Sequence, residues 1–268
     1  MNKTSEHITQ TIEIGICCNP QDAVRLPARA FAFLEVNVQN FLVPEKTQAE
    51  FRPNLEAARG AVNPVKSANC FLPGDLKCVG PSIDKERLGN YAETAFSRAA
   101  QVGMEIIVFG SGAARTAPDG YPLSQAAQDF VNVLRLLGPI AQRHGITLVV
   151  EPLNKGECNL INSLAEGADA VESCDHPNVR LLADYYHMLK EGEPATEIAR
   201  FGPLIRHTHI AELSGRAFPG KSREDFSPFF QALHQAGYKG RLALECAWDN
   251  MATDLEPSMR YLRGFGST

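Results

Sequence analysis

The sequence predicts a single (β/α)8 TIM barrel, and three observations lead there. Eight short, mostly apolar runs alternate with longer stretches of helical cadence, and eight strands are what a closed parallel barrel requires. Glycines and prolines gather at the junctions between runs. No linker, low-complexity stretch or shift in composition divides the 268 residues, so 1–268 is read as one domain.

Strands are expected at 11–17, 32–38, 65–68, 105–109, 147–151, 179–183, 204–210 and 241–245. Between them, 83–102 carries Leu88, Tyr91, Ala95, Phe96 and Ala99 at three- and four-residue spacing, the stripe of an amphipathic helix, and Gly103 ends it. The next helix, 124–144, sets Phe130, Leu134, Leu137 and Ile140 on roughly one face, with Ser124 as N-cap and Gly145 as the stop. Segments 160–174 and 222–236 repeat the scheme, the latter stopping at Gly237. Pro20 and Pro27 leave room for only a short helix in the first unit. An open doubly wound sheet is the rival arrangement and normally announces itself with GxGxxG after an early strand. Here the first strand runs into GICCNP, and the glycine-rich segment FGSGAARTAPDG at 109–120 has neither that spacing nor the lysine of a Walker loop. A nucleotide cofactor is not expected.

Composition narrows the function classes. With 26 basic against 31 acidic residues the formal net charge is -5, the wrong sign for a general nucleic-acid or anionic-membrane binder. No stretch approaches the roughly 18 consecutive apolar residues of a membrane span, and MNKTSEHITQ lacks the apolar centre of a signal peptide. A cytoplasmic location is the default that follows. The seven cysteines, an odd number in a large chain and several in apolar surroundings, read as reduced thiols rather than a disulfide framework. Side chains of the adjacent pair Cys17 and Cys18 would point to opposite faces of a strand, which makes a poor metal clip.

The informative polar groups fall at strand ends. ITLVVE ends in Glu151, VRLLAD in Asp184 and RLALE in Glu245, while LIRHTHI carries His207 and His209. A carboxylate after four or five apolar residues is costly to bury without a cation, a metal or hydrogen-bond donors. Each alone also fits a helix cap or an ion pair, and His207 fits a structural role equally well. In a barrel, however, four strand ends converge on the upper rim, where Glu151, Asp184, His209 and Glu245 can surround one ion. Three carboxylates and one imidazole suit Mn2+, Mg2+ or Co2+, with Zn2+ also compatible, and the lack of thiolates argues against structural zinc.

VVEPLN at 149–154, LLADYYHM at 181–188, HTHIAELSGR at 207–216 and LALEC at 242–246 resemble the xylose-isomerase-like TIM-barrel superfamily, especially its tagatose/psicose 3-epimerases and hydroxypyruvate isomerases. The resemblance is softer in the first half, carried by SANCFLPG at 67–74 and the GSG loop at 110–112. It implies that Glu151, Asp184, His209 and Glu245 bind one divalent metal, Mn2+ being favoured, and that Glu151 and Glu245 form the acid/base pair. His187 and Arg216 would bind substrate oxygens, with Glu157 touching substrate or its surroundings. Counted from His209, Arg216 lies one residue later than the arginine of the epimerase pattern. Asn69 stands where related AP-endonuclease barrels use a histidine, which argues against DNA repair.

The implied activity is isomerisation or epimerisation of a small sugar or sugar-like carbonyl compound, by proton transfer through an enediolate. Phe71, Leu72 and Pro73 are candidates for a wall against the sugar, and Arg115 for facing an anionic tail. Two alternatives use the same residues differently. One is a metal-dependent lyase or dehydratase acting on an inosose-like or keto-acid substrate, and the other a carbohydrate-binding protein without catalysis. The expected partner is a small molecule, with no nucleic acid and no membrane. Homo-oligomer formation is left open.

Overall fold

The computed structural model describes residues 12–265, and the eight strands close into a parallel barrel in sequence order. They are β1 (Glu13–Cys17), β2 (Leu34–Asn37), β3 (Val65–Asn69), β4 (Ile106–Phe109), β5 (Thr147–Val150), β6 (Val179–Asp184), β7 (Ile205–Ile210) and β8 (Arg241–Leu244). Closure is made by β1 against β8, with Glu13 opposite Arg241 and Ile16 opposite Leu244. All eight expected strands are present, though Thr11, the expected start of the first, lies outside the described residues. The second strand is shorter than expected because Asn37 turns the chain into a π-helical turn, Val38–Leu42, by accepting a hydrogen bond from Asn40 N.

Outside the barrel run α1 (Pro20–Ala23), α2 (Gln48–Gly60), α3 (Lys85–Val102), α4 (Gly112–Arg115), α5 (Leu123–Arg143), α6 (Leu164–Cys174), α7 (Tyr185–Glu191), α8 (Thr196–Phe201), α9 (Ser227–Gln235) and α10 (Met251–Arg263). The four expected helices correspond to α3, α5, α6 and α9, and the first unit holds only the four residues of α1. Ser124 is not the N-cap of α5: the helix begins at Leu123, with Pro122 before it. Asp84 and Ser163 cap α3 and α6 instead, each accepting from a backbone N–H three residues on. Gly103, Gly145 and Gly237 take the positive φ that ends their helices, as expected. No helix among the described residues is long and apolar enough to cross a membrane, and all seven cysteines are free.

Alternation along the strands sorts the core into two layers. Ile107, Phe109, Leu148, Val150 and Leu181 join the large cluster beneath the helices, whereas Ile106, Val108, Val149 and Leu182 form a separate cluster inside the barrel. Polar groups share this interior. Glu35 on β2 contacts His207 on β7 at 2.6 Å, and because these strands are not neighbours the contact crosses the interior. Below this layer Phe33 plugs the barrel, and a Cβ at Gly15 would stand 2.5 Å from its ring. Among the described residues, Phe33 thus fills the barrel on the side away from the C-terminal ends of its strands.

One carboxyl outside the cluster at the strand ends gives a pH-dependent stability. Glu193 accepts from the Leu164 backbone N–H at 2.9 Å, and burial followed by the neighbouring Glu197, Glu166 and Glu191 pushes it from its ordinary 4.5 up to about 7. Folding thus takes up a proton between these values, and stability falls as pH rises from about 4.5 through 7. Glu193→Gln keeps the acceptor without the charge. It is expected to raise Tm at pH 8 by roughly 2–4 °C, about 1 kcal/mol for this partly exposed site, and to leave it unchanged at pH 4.5; thermal melts at the two pH values check this.

Candidate active site

The strand ends bring together the four groups expected there. Glu151 follows β5, Asp184 ends β6, His209 lies on β7 and Glu245 follows β8; one ligand atom from each falls within 4.8 Å of the others. His209 Nδ1 stands 3.1 Å from both Glu151 Oε1 and Glu245 Oε2. Asp184 also caps α7, its Oδ1 accepting from Tyr186 N and His187 N, which fixes the carboxylate and leaves Oδ2 toward the cluster. Asn69, at the end of β3, donates to Glu245 Oε1 at 2.7 Å. Three carboxylates and an imidazole, all but Glu245 nearly inaccessible, make a donor set that fits one divalent cation.

The three groups assigned to substrate line the same cleft of about 290 Å³, with Glu151, Glu245, Gln39, Cys70, Leu72 and the small residues Gly74, Gly112 and Ala113. Asn154 holds the ring of His187 by donating to Nδ1 at 2.9 Å. This leaves Nε2 buried, 3.5 Å from Asp184 Oδ2, with no hydrogen bond to any described residue. Arg216 reaches the cleft through two successive left-handed residues, Gly215 and Arg216 itself, so its displaced position in sequence does not keep it from the site. Its Nη2 lies 2.5 Å from Glu245 Oε2 and 3.4 Å from Asp184 Oδ2, with the guanidinium 4.7 Å over the Tyr186 ring. Glu157 is at the rim, half exposed, 3.6 Å from Arg216 Nη1 and bonded to Asn154 Nδ2 at 2.9 Å.

The crowded carboxylates titrate apart. Burial raises Glu151, and the Glu245 and Asp184 charges add to that against the hydrogen bond from His209. Burial also pushes Glu245 up, but His209 and then Arg216 outweigh it and hold the carboxyl down to about 2. Burial alone would lower His209; Glu35 and Glu245 hold it well above the ordinary imidazole value instead.

Two expectations about neighbouring residues are corrected. Phe71 is no cleft wall: it is fully buried, packed on Phe96, Phe109 and Tyr91. Of the proposed trio only Leu72 lines the cleft. Arg115 faces no ligand tail. It is fully buried under the GSG loop, donating to the carbonyls of Phe109 at 3.2 Å and Glu151 at 2.9 Å and so tying together the ends of β4 and β5.

Sequence reasoning also passed over Gly110, Asn154 and Glu35. At Gly110 the Glu151 carboxylate occupies the space a side chain would take, a Cβ there colliding with Glu151 Oε2. Gly110→Ala is expected to displace Glu151 and lower kcat by about 10²-fold while the far-ultraviolet circular dichroism stays that of the parent, measured by steady-state kinetics. In Glu35, the alternation FLEVNV was the available signal: it puts the glutamate on the same face as Asn37 inside an apolar strand.

The sequence profile described as xylose isomerase-like TIM barrel matches residues 21–265. The chain belongs to this family. Among its relatives, the 3-dehydro-D-guloside 4-epimerase of Escherichia coli strain K12 is 30% identical over 207 residues, covering 72% of this chain and 77% of the relative. The D-psicose 3-epimerase of Ruminiclostridium cellulolyticum is 33% identical over 116 residues, 43% of this chain. That match spans only 39% of the relative's own length. Of solved barrels, the apo crystal structure of E. coli 3-keto-D-glucoside 4-epimerase superposes with a TM-score of 0.77 at 23% identity, covering 94% of this chain and 99% of that one. At such identity the superposition shows the shared barrel fold.

Proposed function

We propose that this xylose isomerase-like barrel is a divalent-metal-dependent epimerase or isomerase of a small ketose or keto-glycoside. The observation that carries the reading is the placement of Glu151 and Glu245, from strand ends three apart in the barrel, with each carboxylate 3.1 Å from one nitrogen of His209 at the floor of a sugar-sized cleft. Relatives named as sugar epimerases support it.

In this reading Glu151, Asp184, His209 and Glu245 hold the ion, with Mn2+ favoured for a mixed oxygen and nitrogen set. A bound ion would draw electron density from a carbonyl and its neighbouring hydroxyl, making the adjacent C–H bond acidic. One of the two carboxylates, Glu151 or Glu245, takes the proton and the other returns one. Return to the opposite face of the same carbon inverts it; return to the neighbouring carbon exchanges aldose for ketose. The free Nε2 of His187 and the guanidinium of Arg216 hold substrate hydroxyls, and Glu157 closes the rim. Leu72, Gly74, Gly112 and Ala113 leave a smooth wall for the sugar ring. We further read 1–268 as one domain, working in a reducing compartment such as the cytoplasm in keeping with its free cysteines.

Incubation of the Mn2+-loaded protein with ketopentoses, ketohexoses and 3-keto-glycosides, followed by chromatography and NMR of the products, tests the activity. Interconversion of epimers is the expected result. Release of water from an inosose-like or keto-acid substrate points to a dehydratase instead, and binding that persists in Glu151→Gln and without metal points to a non-catalytic protein.

A further inference from the structure

We propose that Glu35 is a positioning residue for the metal centre, fixing the ring of His209 so that Nδ1 is the nitrogen presented to the ion. The inference rests on the metal reading above and adds a residue from the opposite side of the barrel. Glu35 comes from β2, its carboxylate fully buried and anchored from three strands. Its Oε2 accepts from Ser67 Oγ on β3 at 2.6 Å and lies 2.6 Å from His207 Nε2 on β7. Its Oε1 lies 3.4 Å from Cys17 Sγ on β1 and 2.8 Å from His209 Nε2, the last an ion-pair contact off the axis of a linear hydrogen bond.

His209 is thereby held at both ends, Nε2 against Glu35 and Nδ1 against Glu151 and Glu245. Turning the ring over would set the Cδ2 carbon, which offers no lone pair, where Nδ1 now faces Glu151 and Glu245, and would move Nε2 off its contact with Glu35. Glu35, His207 and His209 are themselves close enough to suggest a second ion. Their spacing argues otherwise: contacts of 2.6 and 2.8 Å are hydrogen-bond and ion-pair lengths, whereas ligand atoms each about 2.0–2.2 Å from one ion stand roughly 3 Å or more apart. The cluster is therefore an orienting network behind the metal ligands, of the kind that tunes affinity when the ligands themselves are unchanged.

Calorimetric titration of Mn2+ into chelator-stripped protein, at a temperature where circular dichroism shows each variant folded, tests this without reference to turnover. Glu35→Gln is expected to weaken Mn2+ binding about 10–100-fold. Ser67→Ala, which removes an anchor of Glu35 and leaves its contact with His209, is expected to stay within about threefold of the parent. Equal affinity of Glu35→Gln and the parent overturns the inference, as does an equal loss in Ser67→Ala, which would mark general loosening of the barrel. A parent that binds no Mn2+ overturns the metal reading itself, a separable result. Where Glu35→Gln does not fold, Glu35→Asp, shorter by one methylene, is read in its place with the same outcomes.

Discussion

Glu245→Gln is expected to lower kcat by about 10³-fold or more while leaving the barrel folded. The amide keeps the shape of the carboxylate and can still accept from Asn69, whose Nδ2 stands 2.7 Å away. It cannot take a proton, and it loses the charge that holds Arg216 Nη2 at 2.5 Å and His209 Nδ1 at 3.1 Å. Steady-state kinetics beside a circular dichroism spectrum measures both halves of the expectation. Loss of less than about tenfold would remove Glu245 from the acid/base pair. Because the residue is also assigned to the ion, Mn2+ affinity of the variant is measured in parallel and the comparison made at saturating metal.

Removing the metal is expected to abolish turnover and to lower Tm. Glu151, Asp184 and Glu245 bring three carboxylates within 4.8 Å of one another, at the end of an otherwise closed barrel. Arg216 and His209 stand among them as countercharges, and Arg216 is shared between Glu245, Asp184 and Glu157. A divalent ion relieves that repulsion in the folded state alone. At about 100 times its Kd it adds roughly 2.7 kcal/mol of stability, which is about 5–10 °C in a chain of this size. Thermal melts in EDTA and in Mn2+, with activity restored on adding Mn2+ back, give the measurement. Identical melts and undiminished activity in EDTA would contradict the metal assignment.

The fold was legible because barrel strands write a simple signal: short apolar runs with helical stripes between them. The metal cluster was legible for a related reason, since Glu151, Asp184 and Glu245 each end such a run, where an unpartnered charge is costly. What escaped lies where that reasoning weakens. Helices α2 and α10 carry Pro53 and Pro257 inside them and bury only a narrow stripe, which obscures their periodicity, although the Thr47–Glu50 capping box and the Asn250 cap were start signals open to reading. Ser124 looked like a cap, but the chain enters α5 one residue earlier through Pro122. Arg115 reads as a surface residue in a glycine-rich loop, and only the tertiary structure puts its guanidinium on two carbonyls beneath that loop. Glu35 sits in mid-strand, so attention to strand ends missed it. The position of Arg216 depends on two left-handed residues in succession, a local geometry that counting along the chain does not supply.

Solvent-deuterium incorporation by the Mn2+-loaded protein, followed by NMR on ketoses, aldoses, inosose and hydroxypyruvate, tests proton transfer beside a carbonyl most directly. The expected result is metal-dependent exchange at a single carbon adjacent to the carbonyl of at least one sugar, lost in Glu245→Gln. Conversion of a sugar to its epimer with no solvent deuterium at the inverted carbon would contradict proton transfer through Glu151 and Glu245.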